Sequence, residues 1–280
     1  MRQINYYSRF LLLSMIAGGG SEVIADNVLD HASIKCSYEY RAVKDSTTKQ
    51  QREDLMLLLV GRNYSAFYSF YTFQVDSLKQ TPDYVTKWRQ AFLAALQKDG
   101  VATTNFFFRR ASYYIYKDFA KNSITTYDDV NNSLFVYTDT LDAQQWEITD
   151  SAKTVLGYTC QQAKCYYHGR NWVAWFTEEI PVNNGPWKLG GLPGLIMEAY
   201  DNNEEHHFTI NGIQQVEKLP ITDKVAEEKY KKTTRIKFLR AKRKFEENAA
   251  MIIQSQTDID LGMRNSERML HRDYIETDYR

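Results

Sequence analysis

The sequence predicts an α+β protein whose main element is a curved, mainly antiparallel sheet of eight or more strands. Aromatic residues make up 14 % of the 280 residues, and aromatic side chains pack well on a pleated sheet. Short apolar or alternating segments recur between turn residues, which is the pattern of strands joined by tight connections. Helical periodicity is confined to residues 82–98 and to the region after residue 220. We therefore expect one packed helix and a helical C-terminal region.

The N-terminus has the pattern of a secretory signal peptide. Arg2 and Arg9 precede the apolar run 10–17, and Val23-Ile-Ala25 places small or tolerated residues at the two positions that a signal peptidase reads. The apolar run is shorter than the ~20 residues needed to span a bilayer. We expect residues 1–25 to be removed and the protein to be exported, either periplasmic, secreted or associated with the outer membrane.

Charge argues against one class of partner. The chain carries 35 basic and 35 acidic residues, and loss of Arg2, Arg9 and Glu22 with the signal peptide leaves a net charge near −1. Such a balance favours neither nucleic acid nor acidic substrates. We predict no nucleic-acid partner and no cofactor.

The first half of the chain contains several strand patterns. Apolar and polar side chains alternate over 34–41, which predicts a half-buried strand. The apolar run 55–60 and the aromatic segment 64–75 flank a Gly-Arg-Asn turn and predict a hairpin. Shorter strands are expected at 112–119, 134–137 and 145–149, between loops rich in Asn, Asp and Ser.

A helix is predicted near 82–98. Thr81 is suited to the N-cap, Pro82 to the first turn, and Asp83 to the positive end of the helix dipole. Apolar residues then recur three or four positions apart, at Val85, Trp88, Phe92 and Leu96. This spacing indicates an amphipathic helix that packs on the sheet.

The second half centres on a segment that we call the elbow, residues 185–196. Its prolines fix φ, and its glycines allow turns that are closed to other residues. A hairpin at 155–167 and 171–177 precedes the elbow, and strands at 195–200 and 206–213 follow it. We interpret the elbow as a rigid corner through which the chain enters its core.

The same residues resemble a known family. Residues 172–181, Gly185-Pro-Trp-Lys188 and Gly191-Leu-Pro-Gly-Leu-Ile196 resemble the signature of the GLPGLI family, also catalogued after Porphyromonas gingivalis. These are secreted Bacteroidota proteins, and the resemblance covers about residues 153–200. It implies an exported location and a shared fold, but no activity. Some members have a cysteine where Gly190 stands, so a disulfide at that position is not implied.

The motif residues are expected to have a structural role, with ligand contact as the alternative. The elbow lacks the Gly-Lys-Ser/Thr ending of a phosphate loop and the spacing of a dinucleotide fingerprint. Backbone N–H groups of a glycine-rich loop could still face a ligand. The residues concerned are Trp175, Pro181, Gly185, Pro186, Trp187, Gly191, Leu192, Pro193, Gly194, Leu195 and Ile196.

Cysteines and histidines provide weak candidates for chemistry. One disulfide among Cys36, Cys160 and Cys165 is expected in an exported chain, and its pairing stays open. Zinc would use such residue types, and the candidates are Cys160, Cys165, His168, His206 and His207. On regular strands, however, the two cysteines of the hairpin face opposite sides, as do the adjacent histidines. We predict no metal site and no catalytic residue.

Residues 221–280 are predicted to form a basic helical region beside a β-rich domain of residues 26–220. A solvated helix face explains most of the positive charge. The alternative is contact with an anionic surface through Lys231, Lys232, Arg235, Arg240 and Arg243.

The sequence alone therefore favours a non-enzymatic binding or structural module of the cell envelope, whose partner is an envelope protein or a glycan. Two alternatives remain open. One is a carrier that encloses a hydrophobic ligand in a half-open barrel. The other is a metal-dependent or cysteine hydrolase built on Cys160, His168, His206 and His207.

Overall fold

A computed structural model describes residues 27–45, 50–99, 108–131, 133–141, 144–223, 229–256 and 274–279. The predicted signal peptide, residues 1–25, lies outside these ranges. Within them, none of the helices has the length and apolar character required to cross a membrane.

Twelve strands and three helices occur in the described part of the chain. The strands are β1 (Asn27–Asp45), β2 (Gln50–Gly61), β3 (Tyr64–Ser69), β4 (Tyr114–Asp118), β5 (Ser123–Val130), β6 (Ser133–Thr140), β7 (Glu147–Val155), β8 (Tyr158–Tyr167), β9 (Arg170–Thr177), β10 (Leu195–Asp201), β11 (His206–Asp223) and β12 (Lys231–Lys232). The helices are α1 (Phe70–Lys79), α2 (Tyr84–Asp99) and α3 (Arg235–Gln256).

The strands form one sheet in the order β12-β6-β5-β4-β3-β2-β1-β11-β10-β9-β8-β7. Neighbours are antiparallel except for the short parallel pair of β12 and β6. Two meanders of sequential strands meet where β1 pairs with β11, for example Cys36 with Ile213 and Tyr40 with Phe208. This one long-range pairing joins the two halves of the sheet.

The prediction of a sheet-rich, mainly antiparallel fold is confirmed, and two local points of the strand prediction need correction. The second arm of the first hairpin ends at Ser69, because the Ser69 hydroxyl accepts a hydrogen bond from Thr72 N and caps α1. Strand β5 was not predicted, since its Asp128 and Asp129 are typical of loops. Both carboxylates are paired in the structure, with Lys242 and Arg109 respectively.

The predicted helix corresponds to α2, but its packing was predicted wrongly. Helix α1, which the sequence analysis missed, lies against β2 and β3, and α2 packs against α1. Tyr84, Val85 and Leu93 of α2 are between 42 and 50 % exposed. Of the predicted stripe, Val85 is exposed and Trp88 and Phe92 are only partly buried, so these three residues do not form a buried contact with the sheet.

A helical C-terminal region is not supported. The predicted boundary at residue 220 falls inside β11, which pairs with β1 as far as Asp223. Beyond it lie β12, helix α3 and the non-helical residues 274–279, which we call the C-terminal segment. Ion pairs and a backbone hydrogen bond from Thr277 N to His168 O hold this segment in place, and its Tyr279 packs with Phe238 and Leu239 of α3.

Both faces of the central sheet are buried. On β4, Ile115 belongs to the larger core cluster, whereas Tyr114 and Tyr116 belong to a second cluster on the other face. The larger cluster also contains Trp187, Leu189 and Leu192 of the elbow. The elbow therefore covers one face of the sheet, which positions the site described below.

Truncation of a core side chain should cost much more stability than truncation of an exposed side chain on α2. We expect Leu58→Ala, at a fully buried position, to lower the free energy of unfolding by about 2–5 kcal/mol. Leu93→Ala is the matched control on α2 and should change it by less than about 0.5 kcal/mol. Urea unfolding of both variants measures the difference. A large loss in Leu93→Ala would mean that α2 packs on the sheet after all.

Candidate functional site

The elbow is a buried irregular segment held by specific backbone contacts. Leu195 N donates to Ile180 O over 3.0 Å, and Ile196 N donates to Asn184 O over 3.0 Å. Between these contacts the chain makes a tight turn, in which Leu189 N donates to Pro186 O over 3.1 Å. Trp187 within that turn has a φ of +54°, a left-handed conformation that is costly for a residue with a Cβ. The turn thus depends on the contacts around it.

Glycine is required at one elbow position by direct contact. A Cβ on Gly194 would overlap the carbonyl oxygen of Thr177 on β9. This close approach lets Leu195 begin β10 opposite Thr177. Pro181 and Pro193 are exposed, whereas Gly185, Pro186 and Leu192 are buried.

A buried lysine from the sheet anchors the turn. Lys117 on β4 is 2 % exposed, and its Nζ donates to Asn184 Oδ1 over 2.7 Å and to Leu189 O over 2.6 Å. Gly185 O lies 3.5 Å from the same Nζ. Burial lowers the pKa of Lys117 to about 7.

A cavity of about 630 Å³ lies beside the elbow. Strands β1, β2, β4, β5 and β6 contribute to its wall, together with α3, residues 108–113 and the C-terminal segment. Its aromatic lining comes from Tyr40, Phe108, Tyr113, Tyr137, Trp187, Phe238 and Tyr274. Its charged lining comes from Arg52, Glu53, Asp54, Arg109, Arg110, Asp128, Lys188, Lys242 and Glu276.

Two carboxylates of the cavity have structural partners. Asp54 accepts hydrogen bonds from Ser69 Oγ and Ala111 N, each over 2.9 Å, and so fixes the segment that follows residue 108. Burial raises the pKa of Asp54 despite these bonds. Asp128 pairs with Lys242 Nζ of α3 over 2.8 Å, which ties the helix to β5.

One hydroxyl in the cavity wall has no such partner. Tyr113 Oη is buried and makes no hydrogen bond within the described ranges. Burial raises the pKa of this phenol, and the nearby Tyr40, Asp54 and Asp128 raise it further. A neutral hydroxyl here can both donate and accept a hydrogen bond.

The C-terminal segment forms another part of the wall through buried charges. Glu276 accepts ion pairs from Lys188 Nζ of the elbow and from Arg235 of α3, each over 2.8 Å. Arg170 Nη2 donates to Tyr274 O over 2.6 Å, and the same side chain pairs with Asp201 on β10 over 2.8 Å. The segment is therefore anchored to the elbow, to the sheet and to α3.

One group of three neighbouring side chains in the described part of the chain has residue types that can bind a metal ion. It consists of His168, Glu276 and Asp278. Their ligand atoms lie within 4.8 Å of one another. Lys188 and Arg235 already neutralise the two carboxylates. Because an added divalent cation would have to displace or approach these two positive charges, the arrangement is better explained as an ion-pair network.

The cysteines named from the sequence are all free thiols, so the expected disulfide is not present. Cys36 lies between Leu58 and Ile213 in neighbouring strands. Cys165 lies opposite Trp172, and Cys160 Sγ donates to Tyr158 O over 3.6 Å. Burial raises the pKa of both Cys36 and Cys165 to about 12, which disfavours the reactive thiolate.

The candidate histidines are held by three different partners. His168 Nδ1 lies 3.2 Å from Asp278 Oδ2 at the β8–β9 turn. His206 Nδ1 lies 2.8 Å from Tyr40 Oη in the core. His207 Nε2 lies 2.8 Å from Glu198 Oε1. The structure therefore gathers neither a zinc set nor a cysteine–histidine pair from these residues.

Of the five basic residues proposed for an anionic surface, Arg243 is half-buried on α3, and the other four divide into two groups. Arg235 pairs with Glu276 and Asp278, and Arg240 Nε donates to Tyr279 O over 3.0 Å. These two arginines hold the C-terminal segment. Lys231 and Lys232 are exposed on β12.

Sequence analysis missed Lys117, Tyr113 and Asp54. The available signal for Lys117 is its position two residues after Ile115, on a strand face that is buried. Tyr113 and Asp54 have no distinguishing pattern, because their environment comes from segments that are distant in sequence.

The matching family model is described as N-glycanase peptide, N-terminal domain, and it covers residues 69–239. This is more than half of the 280 residues. The chain belongs to the N-glycanase N-terminal domain family. The assignment to the GLPGLI family is therefore wrong, because that resemblance rested on short motifs inside the matched range. The match to an N-glycanase domain also contradicts the expectation of a non-enzymatic binding or structural module of the cell envelope. The alternative of a carrier for a hydrophobic ligand is contradicted by the same match.

Two solved structures are similar to the chain, and the first of them supports the likeness at the level of fold. PNGF-II in the P21 space group gives a TM-score of 0.50 at 11 % identity, over 75 % of this chain and 32 % of that one. PNGF-II in the C2 space group gives 0.44 at 12 % identity, over 72 % and 30 %. The chain thus spans about a third of the length of these structures. No curated protein matches it.

The close approach at Gly194 leads to a stability test. We expect Gly194→Ala to lower the free energy of unfolding by more than about 2 kcal/mol, because the new methyl group must displace β9 backbone. Gly157→Ala is the matched control: its φ is +86°, but the space around it is open, so the cost should stay near 1 kcal/mol. Equal losses in thermal unfolding would contradict the contact with Thr177.

The buried carboxylate of Glu276 leads to a test of pH dependence. Burial alone would raise its pKa, but Lys188, His168 and Arg235 hold it below the ordinary value of 4.5. The ionised form therefore stabilises the fold fully above that pH, and its contribution is lost as pH falls through the folded-state pKa. We expect Glu276→Gln to lower the free energy of unfolding by about 3 kcal/mol at pH 7.

In acid the difference between Glu276→Gln and wild type should shrink, as urea unfolding at several pH values would measure. Glu217→Gln on the exposed surface of β11 is the matched control and should follow wild type throughout. A constant difference at all pH values would rule out the ion pair as the source of the stability.

Proposed function

We propose that the chain recognises glycans attached to proteins, and that the cavity beside the elbow binds a sugar residue of the glycan. The observation that carries the proposal is the buried, unpaired Tyr113 hydroxyl among the described residues of a wall that combines aromatic rings with carboxylates and cations. Family membership supports it, since the matched family is named for an N-glycanase.

The size and lining of the cavity suit a sugar. Its volume of about 630 Å³ lies within the range of ligand sites. A sugar ring has apolar C–H faces and a rim of hydroxyl groups. The ring of Phe108, which is 53 % exposed, offers apolar surface to the faces, while Tyr113 and the charged side chains offer donors and acceptors to the rim.

The charges of the wall favour a neutral polar ligand over a hydrophobic or strongly ionic one. Lys242 is paired with Asp128, and Lys188 is paired with Glu276. A hydrophobic ligand would leave these groups desolvated, at a cost in free energy. An export signal in residues 1–25, as the sequence predicts, would bring the domain to glycoproteins outside the cytoplasm.

Binding of an oligosaccharide released from an N-glycosylated protein tests the proposal. We expect saturable binding in calorimetry, and about fivefold weaker binding by Tyr113→Phe, because the variant loses one hydrogen bond. Tyr166→Phe is the matched control, since Tyr166 is 69 % exposed and lies outside the cavity wall. Binding that is absent, or that both variants leave unchanged, would count against the cavity as the sugar site.

A further inference from the structure

We propose that Lys117 is a positioning residue for ligand binding, because its ammonium group fixes the turn that brings Trp187 and Lys188 to the cavity wall. The inference rests on the proposed binding role of the cavity, but the position of the turn can be measured without any ligand.

The first argument is the geometry of the ammonium group. Lys117 Nζ is surrounded by three oxygen atoms of one segment: Asn184 Oδ1 at 2.7 Å, Leu189 O at 2.6 Å and Gly185 O at 3.5 Å. A lysine ammonium has three donors and no acceptor. The three donors of the charged side chain therefore match the three oxygen atoms, whereas a neutral amine would provide one donor fewer.

The second argument is the conformation that these contacts hold. Gly185 and Leu189 flank the turn in which Trp187 has a φ of +54°. Such a conformation persists where the surrounding structure determines it, and it is common at functional sites. The Trp187 ring stacks on Trp172 with 5.5 Å between ring centres and contributes to the cavity wall. Release of the two carbonyl groups would free the turn and move the ring.

The third argument is the surroundings of Lys117. Its strand neighbours are Ser65 on β3 and Ile124 on β5, which carry no charge. The lysine of the elbow, Lys188, faces Glu276 and Asp139. Burial lowers the pKa of Lys117 to about 7, so its charge changes in an accessible pH range.

Two other titratable groups face the turn, Tyr167 and His168. The ring centre of Tyr167 lies 5.8 Å from that of Trp187, and burial raises the pKa of this phenol far above neutral pH. His168 lies edge-on to the Trp187 ring, with 5.8 Å between ring centres. Burial lowers the pKa of His168 below its usual 6.5, although Glu276 opposes the shift. The imidazole should therefore titrate at a lower pH than Lys117, which separates the two effects.

The experiment follows the Trp187 indole resonance in NMR spectra as a function of pH, with assignment by Trp187→Phe. In the wild-type chain we expect a transition with its midpoint near pH 7. Lys117→Met should abolish it, and it should also weaken oligosaccharide binding about tenfold, as loss of a charge-assisted contact would. Lys121→Met is the matched control, because that side chain is 76 % exposed, and it should behave as wild type.

Asn184→Asp is a second test variant, and it retains Lys117. It replaces the amide oxygen 2.7 Å from Lys117 Nζ with a carboxylate, which favours the charged form. The midpoint should therefore move to higher pH. A transition caused by a group other than Lys117 predicts no such movement.

The outcomes are distinct. An unchanged midpoint in Asn184→Asp, a wild-type transition in folded Lys117→Met, or loss of the transition in His168→Gln would each overturn the role of Lys117. Should Lys117→Met fail to fold, the Asn184→Asp midpoint decides. Absence of oligosaccharide binding by the wild-type chain would defeat the proposed function instead, while the Trp187 transition would still report on Lys117.

Discussion

The structure depends on one constraint: an irregular segment is buried on a sheet, so its backbone polar groups need partners from the rest of the molecule. The elbow receives them from several directions. Lys117, on strand β4 of the sheet, donates to the Leu189 carbonyl group of the elbow. From the β6–β7 connection, Gln144 Oε1 accepts from Gly190 N over 2.9 Å, and Trp146 Nε1 donates to Gly190 O over 2.7 Å. Without these contacts the burial of Trp187 and Leu189 would cost more than it gains.

Burial of the elbow has a second consequence, because it carries a charge into the core. Lys188 is 1 % exposed and needs an anion, which the C-terminal segment supplies as Glu276. Arg235 of α3 pairs with the same carboxylate. The ion pairs of Glu276 therefore connect the C-terminal segment both to Lys188 of the elbow and to helix α3. Breaking one partner of such a pair is expensive. The cavity wall is thus a product of electrostatic pairing as much as of apolar packing.

The sequence predicted what depends on local pattern. Alternation located β1, and the spacing of apolar residues located α2. The predicted capping of α2 is wrong, because Thr81 Oγ1 donates to Leu78 O and Asp83 precedes the first turn. Helix α1 was missed because its cap, Ser69, follows an aromatic run that is equally typical of a strand. The burial of Lys117 and Lys188 could not be predicted, since each is buried by residues distant in sequence. Family membership was misassigned for a related reason: short motifs around the elbow carried less information than the match over residues 69–239.

The family match over residues 69–239 includes some parts of the cavity wall and excludes others. Elements α1 to β12 and the first residues of α3 lie within it, so the wall strands β4, β5 and β6 fall inside the matched range. Three parts of the wall lie outside: the lining residues of β1 and β2, Lys242 and the C-terminal segment. They contribute Asp54, which fixes the segment before Tyr113, and Glu276, which holds Lys188. Most of the aromatic wall therefore lies inside the matched range, while Asp54 and Glu276 outside it position the segment of Tyr113 and the side chain of Lys188.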